Sequence, residues 1–349
     1  MNNDIVLTGA HGWLGSRLLH SLINGLPDYP DTRVESARIR CFYRDSEPLL
    51  EIGSSNGIAV ENVAGDLSIA ADCKKLFAGT NEPLLLHTAG VIHPHRVKEF
   101  FSSNVDATLH LLKAAAERGC RRAVIVSSNS PIGCNPTPEH RFTEESPYNP
   151  YQGYGRSKQM MEEKARELAD QLGIELVIIR PPWFYGPFQP PRQTLFFQMV
   201  KSGGAPLLGK GLNQRSMIYV DNLCQGMSLA ASHPAAAGQT YWIADAEPYE
   251  MRTIIDTIES VLEQDFDMQV AHKRLHLPSV ASEIAYVIDA AIQATGLYHQ
   301  KFHVLSEMNK NIACSIDKAR NELGYEPKIA LREGMRRSIG WCLEQGMTI

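Results

Sequence analysis

Thr8-Gly-Ala-His-Gly-Trp-Leu-Gly15 is the stretch on which the reading of this chain turns. It follows directly on Asp4-Ile-Val-Leu-Thr8, an apolar run that reads as a strand. It opens a stretch, 13–25, in which Leu14, Leu18, Leu19 and Leu22 share one helical face. Strand, glycine-rich turn and helix in that order make a cradle for phosphates. Gly9 allows a tight turn, Gly12 lets the backbone approach a pyrophosphate, and Gly15 lets the helix lie close to the sheet. The helix start at Trp13 and Leu14 adds unpaired N–H groups and the positive end of the helix dipole.

A glycine triplet alone is as easily a structural turn, so the rest of the chain has to support it. Arg38-Ile-Arg-Cys-Phe-Tyr43, Pro83-Leu-Leu-Leu-His87, Arg122-Ala-Val-Ile-Val-Ser127 and Glu175-Leu-Val-Ile-Ile179 read as further strands. Helical patterns fall between them at 68–78, 97–118 and about 155–171. That alternation predicts an α/β fold, a doubly wound parallel sheet with right-handed crossovers. From Arg180 to Pro191, five prolines in twelve residues break regular structure and mark a domain crossing. Residues 1–180 are therefore expected to form a dinucleotide-binding Rossmann-type domain, and 181–349 a smaller, mostly helical substrate domain. A segment of about 217–245 is expected to return to the first lobe. Helices are expected near 192–202, 221–232, 250–263, 279–294 and 317–323.

The chain has 349 residues, 44% of them apolar, and 34 basic against 39 acidic residues give a net charge of −5. Such a composition excludes a disordered or fibrous chain. The mild acidity argues against nucleic acid or an anionic membrane as main partner. No apolar run approaches the roughly 20 residues of a membrane span, and the N-terminus has no signal-peptide pattern. Seven cysteines without a Cys-x-x-Cys read as reduced thiols of a cytoplasmic protein. His-Glu-x-x-His is absent, so no metal is expected, and His93-Pro-His95 reads as pocket lining or turn.

Tyr154-Gly-Arg-Ser-Lys158 is the second chemical signal. Four residues apart on a helix, the two side chains project from one face. An ammonium beside a phenol favours the phenolate and brings it toward acid/base use. Ser127-Ser128 ends the preceding strand and offers a hydroxyl for a substrate oxygen; either serine could serve.

Taken together, these residues resemble the extended short-chain dehydrogenase/reductases, which include NAD(P)-dependent nucleotide-sugar epimerases, dehydratases and the 3β-hydroxysteroid dehydrogenase group. The resemblance spans nearly the whole chain. Thr8 to Gly15 is similar to the family's cofactor loop, Gly65-Asp66-Leu67 to its adenine-contacting motif, and His87-Thr88-Ala89-Gly90 to the segment beside the ribose. Asn104-Val-Asp-Ala-Thr108 matches the family's Asn-Val-x-Gly-Thr helix with Ala107 for the usual Gly. Arg180-Pro181 through Pro187, Tyr219-Val-Asp-Asn-Leu223 and Leu323-Gly-Tyr-Glu-Pro327 match three later motifs.

The resemblance implies a catalytic trio of Ser128, Tyr154 and Lys158, with Ser128 preferred to Ser127 by its spacing from Gly133. Tyr154 would be the acid/base at a secondary alcohol or ketone, Lys158 would lower its pKa and hold the nicotinamide ribose, and Ser128 would bind the reacting oxygen. It also implies cofactor contacts from Gly9, Gly12, Trp13, Leu14, Gly15, Asp66, Leu67, Thr88, Ala89, Gly90, Asn104, Tyr154, Lys158 and Pro181, substrate contacts from His93, Ser130, Trp183 and Arg215, and a homodimer through the helices 97–118 and about 155–171. Arg44, after the second strand, resembles the phosphate-binding Arg of NADP-dependent relatives, whereas Asp45 suits NAD; NADP is slightly favoured. For substrate, Arg215-Ser-Met-Ile-Tyr-Val-Asp resembles a diphosphate-gripping segment of the sugar enzymes. Trp183, with Phe184, Tyr185, Phe188, Phe196 and Phe197 near it, could instead form the apolar wall of a hydroxysteroid-type site. A cofactor-binding sensor is the non-enzymatic alternative.

Overall fold

The computed structural model describes residues 4–44, 46–47 and 57–349. The strand β1 (Asp4–Thr8) is buried along its whole length, as a central strand of a parallel sheet must be. Around it stand β2 (Ala37–Tyr43), β3 (Ile58–Ala64), β4 (Leu84–His87), β5 (Arg122–Val126), β6 (Glu175–Arg180) and an edge strand, Thr240–Trp242. Their order is β3-β2-β1-β4-β5-β6-edge, and every pair is parallel. Ile5 lies opposite both Ile39 and Leu84, so the apolar positions of three strands are in register. The strand order turns between β1 and β4, which opens a crevice at the carboxyl ends of the strands.

Side chains alternate across the sheet. Ile5 and Leu7 enter one core with Leu18 and Leu22 of α1 (Trp13–Asn24). Val6 enters the opposite core, which is closed by the helices that follow in the chain. These are α2 (Ala70–Leu76), α3 (Val97–Phe101), α4 (Ala107–Ala116) and α5 (Gln152–Leu172). Beyond the proline-rich crossing come α6 (Pro191–Lys201), α7 (Val220–Ser232), α8 (Met251–Gln264), α9 (Val280–Ala294), α10 (Gln300–Glu307), α11 (Asp317–Leu323) and α12 (Leu331–Glu344). A third core gathers Phe197 of α6, Ile254 and Ile258 of α8, and Met335 and Ile339 of α12. A buried bidentate pair joins α1 to α7: Arg17 donates to both carboxylate oxygens of Asp221 at 2.6 and 2.7 Å.

The fold departs from the sequence expectations at several points. The strand β3, the three-residue strand Trp183–Tyr185 and α12 were not foreseen, and α10 lies in the stretch 270–315 that reads as helical. The expected helix 97–118 is interrupted by a π turn, Ser102–Asp106. Residues from Cys314 to Tyr325 pack into the core of the sheet although they lie within 181–349. The proposed aromatic wall is largely dispersed: Phe197 is fully buried in the third core, and Phe188 stacks on Trp341. Only Trp183 and Phe196 remain a half-buried edge-on pair, 5.6 Å apart.

Candidate active site

The loop after β1 has the backbone a dinucleotide needs. Gly9 sits at φ +77°, and a Cβ on Gly15 would fall 1.9 Å from the Gly9 carbonyl oxygen, so α1 can approach the strand only with glycine there. No side chain caps α1 and no acidic residue occupies its first turn, which leaves its positive end for phosphates. Trp13 anchors the loop to the crossing segment by donating to the Pro187 carbonyl at 2.7 Å. Across the crevice, Thr88 donates to the Thr8 carbonyl at 2.7 Å. His87 links Thr8 (2.6 Å) and Thr108 (2.9 Å), and burial pushes its imidazole down to about 3, so it stays neutral.

Asn104 lies inside the π turn and is buried. Its carbonyl accepts from the Val91 amide at 2.9 Å, and its amide donates to the Val91 carbonyl and Ser157 at 3.1 Å. The π turn thereby presents one side chain to both the segment after β4 and the face of α5, a use seen at functional sites. Ala89 and Gly90 complete that segment, and a Cβ on Gly90 would lie 3.4 Å from the Lys158 amine. After β3, Asp66 is exposed and accepts from Ser68 at 2.8 Å, while Leu67 leans on the second core. Arg44 is exposed just past β2; Asp45 lies outside the described residues.

Tyr154 and Lys158 are on the first turns of α5, whose entry is held by the Tyr151 amide donating to the Ser130 carbonyl at 2.9 Å. Gln152, the first residue of the helix, takes a φ of +53°, a costly conformation of the kind that clusters at active sites. The two serines separate cleanly. Ser127 donates to the Glu162 carboxylate, which also receives Tyr148 at 2.8 Å and the guanidinium of Arg180. Ser128 is free of that network, and its hydroxyl draws on the Tyr154 phenol. The Ser130 hydroxyl lies 3.3 Å from that of Ser128. Burial pushes the phenol up to about 12, and the Ser128 hydroxyl draws it back. Lys158 donates to the Val126 carbonyl at 3.0 Å, and burial brings its ammonium down to about 8 against the pull of Glu162. Before any ligand enters, burial therefore outweighs the expected lowering of the phenol by Lys158.

The sequence did not single out the groups that close the site. Tyr298 reaches back from the loop after α9 and hydrogen-bonds His93 at 2.8 Å. Phe100 sits between the Tyr298 and Tyr154 rings, at 5.2 and 5.7 Å. Asp289 of α9 binds His303 of α10 at 2.9 Å, and Gln293 bridges Asp289 to the Gly153 amide, both at 2.9 Å. Burial, with the charges of Arg192 and His303, pushes His93 down to about 4. Only the polar residues embedded in an apolar stretch, Asp289 and Gln293, hinted at this roof.

Arg215 is half-buried, and the one hydrogen bond of its guanidinium among the described residues is a 3.3 Å contact to the Glu307 carbonyl. No carboxylate pairs with it among the described residues. Pro181 is buried at the end of β6. No cluster of three metal-ligating side chains exists among the described residues.

Sheet order, glycine loop and crevice define a dinucleotide-binding α/β protein, and the comparisons narrow that class. A family model for the NAD dependent epimerase/dehydratase family matches residues 5–244. The chain belongs to that family and is an enzyme of the extended short-chain dehydrogenase/reductase type. It is 50% identical over 345 residues to the uncharacterised protein y4nL of Sinorhizobium fredii, covering 99% of this chain and 96% of that one. It is 25% identical to the UDP-glucose 4-epimerase of Vibrio cholerae, over 97% of this chain and 95% of the relative. The UDP-glucuronic acid 4-epimerase of Bacillus cereus, solved with NAD, shares the fold with a TM-score of 0.74 at 18% identity, over 98% and 99% of the two chains.

Proposed function

We propose that this enzyme moves a hydride to and from a secondary alcohol carbon of a nucleotide sugar, as an epimerase, dehydratase or ketoreductase. A nicotinamide dinucleotide would lie along the glycine loop with its ribose near Lys158 and would supply the hydride chemistry. Asn104 fixes the segment around Gly90 and, through Ser157, the face of α5. Tyr154 gives or takes the hydroxyl proton, with Ser128 holding the same oxygen. Arg44, exposed and without an ion pair among the described residues, favours NADP over NAD; the neighbour solved with NAD bears on the dinucleotide class alone.

Arg215 carries the substrate reading. A guanidinium half-buried without a carboxylate is poised for an anionic ligand, and its planar fork binds a diphosphate in a way Lys does not reproduce. The charge of Arg192 reaches His93. One nucleoside diphosphate among UDP, dTDP, GDP and CDP is expected to stabilise the wild type, by about 2.7 kcal/mol at a hundredfold excess over its dissociation constant. The shift should vanish in Arg215→Ala. A nucleotide shift that survives in Arg215→Ala removes the assignment of that residue. No response to any nucleotide, with turnover of an apolar secondary alcohol, favours the hydroxysteroid-type reading.

The helices α4 and α5 are proposed to form the homodimer contact. Leu109 and Ala116 are only partly buried, and Met160 is exposed on α5. Light scattering should give about twice the chain's 38.8 kDa, and a monomer mass would refute it.

A further inference from the structure

The helix α9 is built inside out. Its buried positions include Ser282, Asp289 and Gln293, and α10 beneath it buries His303 and Ser306. Ala285 is buried with them, whereas four larger aliphatic side chains of α9 face outward. Val280, Ile284, Val287 and Ile288 follow a spacing of four, three and one residues, so they form a single stripe. Val287 is 66% exposed, and Val280 and Ile284 are each 56% exposed. Leu297, just past the helix, extends the stripe at 54%. Of fifteen residues in α9 only four are buried, so the helix stands as a ridge and the apolar face is its crest.

The far end of that crest is basic. The segment His95–Val97 runs antiparallel against Gly296–Tyr298, through the Val97 amide to Gly296 (3.0 Å) and the Tyr298 amide to His95 (3.1 Å). This brings Arg96 beside Leu297, with Lys98 and Lys301 near it, all three exposed and none in an ion pair among the described residues. The one carboxylate exposed on α9, Glu283, is already bound by Lys310.

We infer that this face docks on a lipid bilayer carrying anionic headgroups, with the α9 crest in the interface and Arg96, Lys98 and Lys301 against the headgroups. An outward aliphatic stripe beside unpaired cations is the pattern of helices that lie in a membrane surface. The overall charge of −5 does not oppose this, because screening limits each group's reach to about 10 Å and the local patch is positive. A second copy of the chain fits less well. Its own α9 would bring the same cations and only a carboxylate that is already paired, so the basic end would meet no complement.

The test is co-sedimentation of the full chain with vesicles of phosphatidylcholine alone and of phosphatidylcholine with phosphatidylglycerol, at low and high salt. The wild type should bind the anionic vesicles, and less so at high salt. Ile284→Asp/Val287→Asp should lose at least tenfold in partition while keeping its Tm, since both positions are exposed. Arg96→Glu/Lys301→Glu should lose the preference for phosphatidylglycerol. Failure of the wild type to bind either vesicle, or binding unchanged by the aspartate pair, overturns the inference. So does an oligomer that the aspartate pair dissociates without vesicle binding, which would give the face to a second copy.

Discussion

Tyr154→Phe is expected to lower turnover of the true substrate by about 10²–10⁴-fold, equivalent to about 2.7–5.4 kcal/mol of barrier, with dinucleotide affinity nearly unchanged. The phenol is acted on by Ser128 and lies on the face of α5 that bears Lys158. Removing its oxygen deletes proton transfer and leaves the glycine loop, Asn104 and the Lys158 amine in place. Burial raises the phenol and lowers the ammonium, so at neutral pH both are protonated, which suits donation of a proton to a ketone. Steady-state rates with cofactor binding measured separately by fluorescence would check both halves. A variant with full turnover would strip Tyr154 of its role.

Arg180→Met is expected to cost about 3–5 kcal/mol of stability, the largest structural effect of any single change considered. The guanidinium and the Glu162 carboxylate are both buried, and Arg180 donates through two nitrogens. Taking away the cation leaves Glu162 with only the Ser127 and Tyr148 hydroxyls. Removing the charge as well, in Arg180→Met/Glu162→Gln, should recover part of the loss, because an unpaired buried charge costs more than an absent pair. Denaturant midpoints would show it. A cost under about 1 kcal/mol for the single variant would mean that water reaches the carboxylate.

The effect has a functional side under the proposed mechanism, since the same carboxylate takes up one of the two candidate serines. Position at the strand end left Ser127 and Ser128 as rivals, and only the family-like spacing from Gly133 favoured Ser128. In the structure Glu162 occupies the first through its hydroxyl, and the second is left to the phenol. Glu162 is 34 residues or more from either serine, so no local pattern could have paired them.

The same contrast runs through the fold. The glycine loop, the Tyr154–Lys158 spacing and the long strands were legible because turn chemistry and periodicity act within a few residues. β3 was missed because Glu61-Asn62 splits its apolar residues and breaks any alternation; it is an edge strand, with one neighbour and one buried residue. The π turn at Ser102–Asp106 follows from tertiary contacts of Asn104 with Val91 and Ser157, which helical propensity cannot register. The roof was invisible for a similar reason. A stretch as apolar as 280–294 reads as a core helix, yet its polar minority points inward and its aliphatic majority outward.

The central claim is hydride transfer on a nucleotide sugar, and one panel tests it most directly. The purified chain is given NAD or NADP and a set of UDP- and dTDP-linked hexoses, with absorbance at 340 nm followed and the sugar products identified by NMR. The account predicts that at least one nucleotide sugar is converted by the wild type and left unchanged by Tyr154→Phe. Conversion of none of them, together with reduction of either dinucleotide by an apolar secondary alcohol, would contradict it.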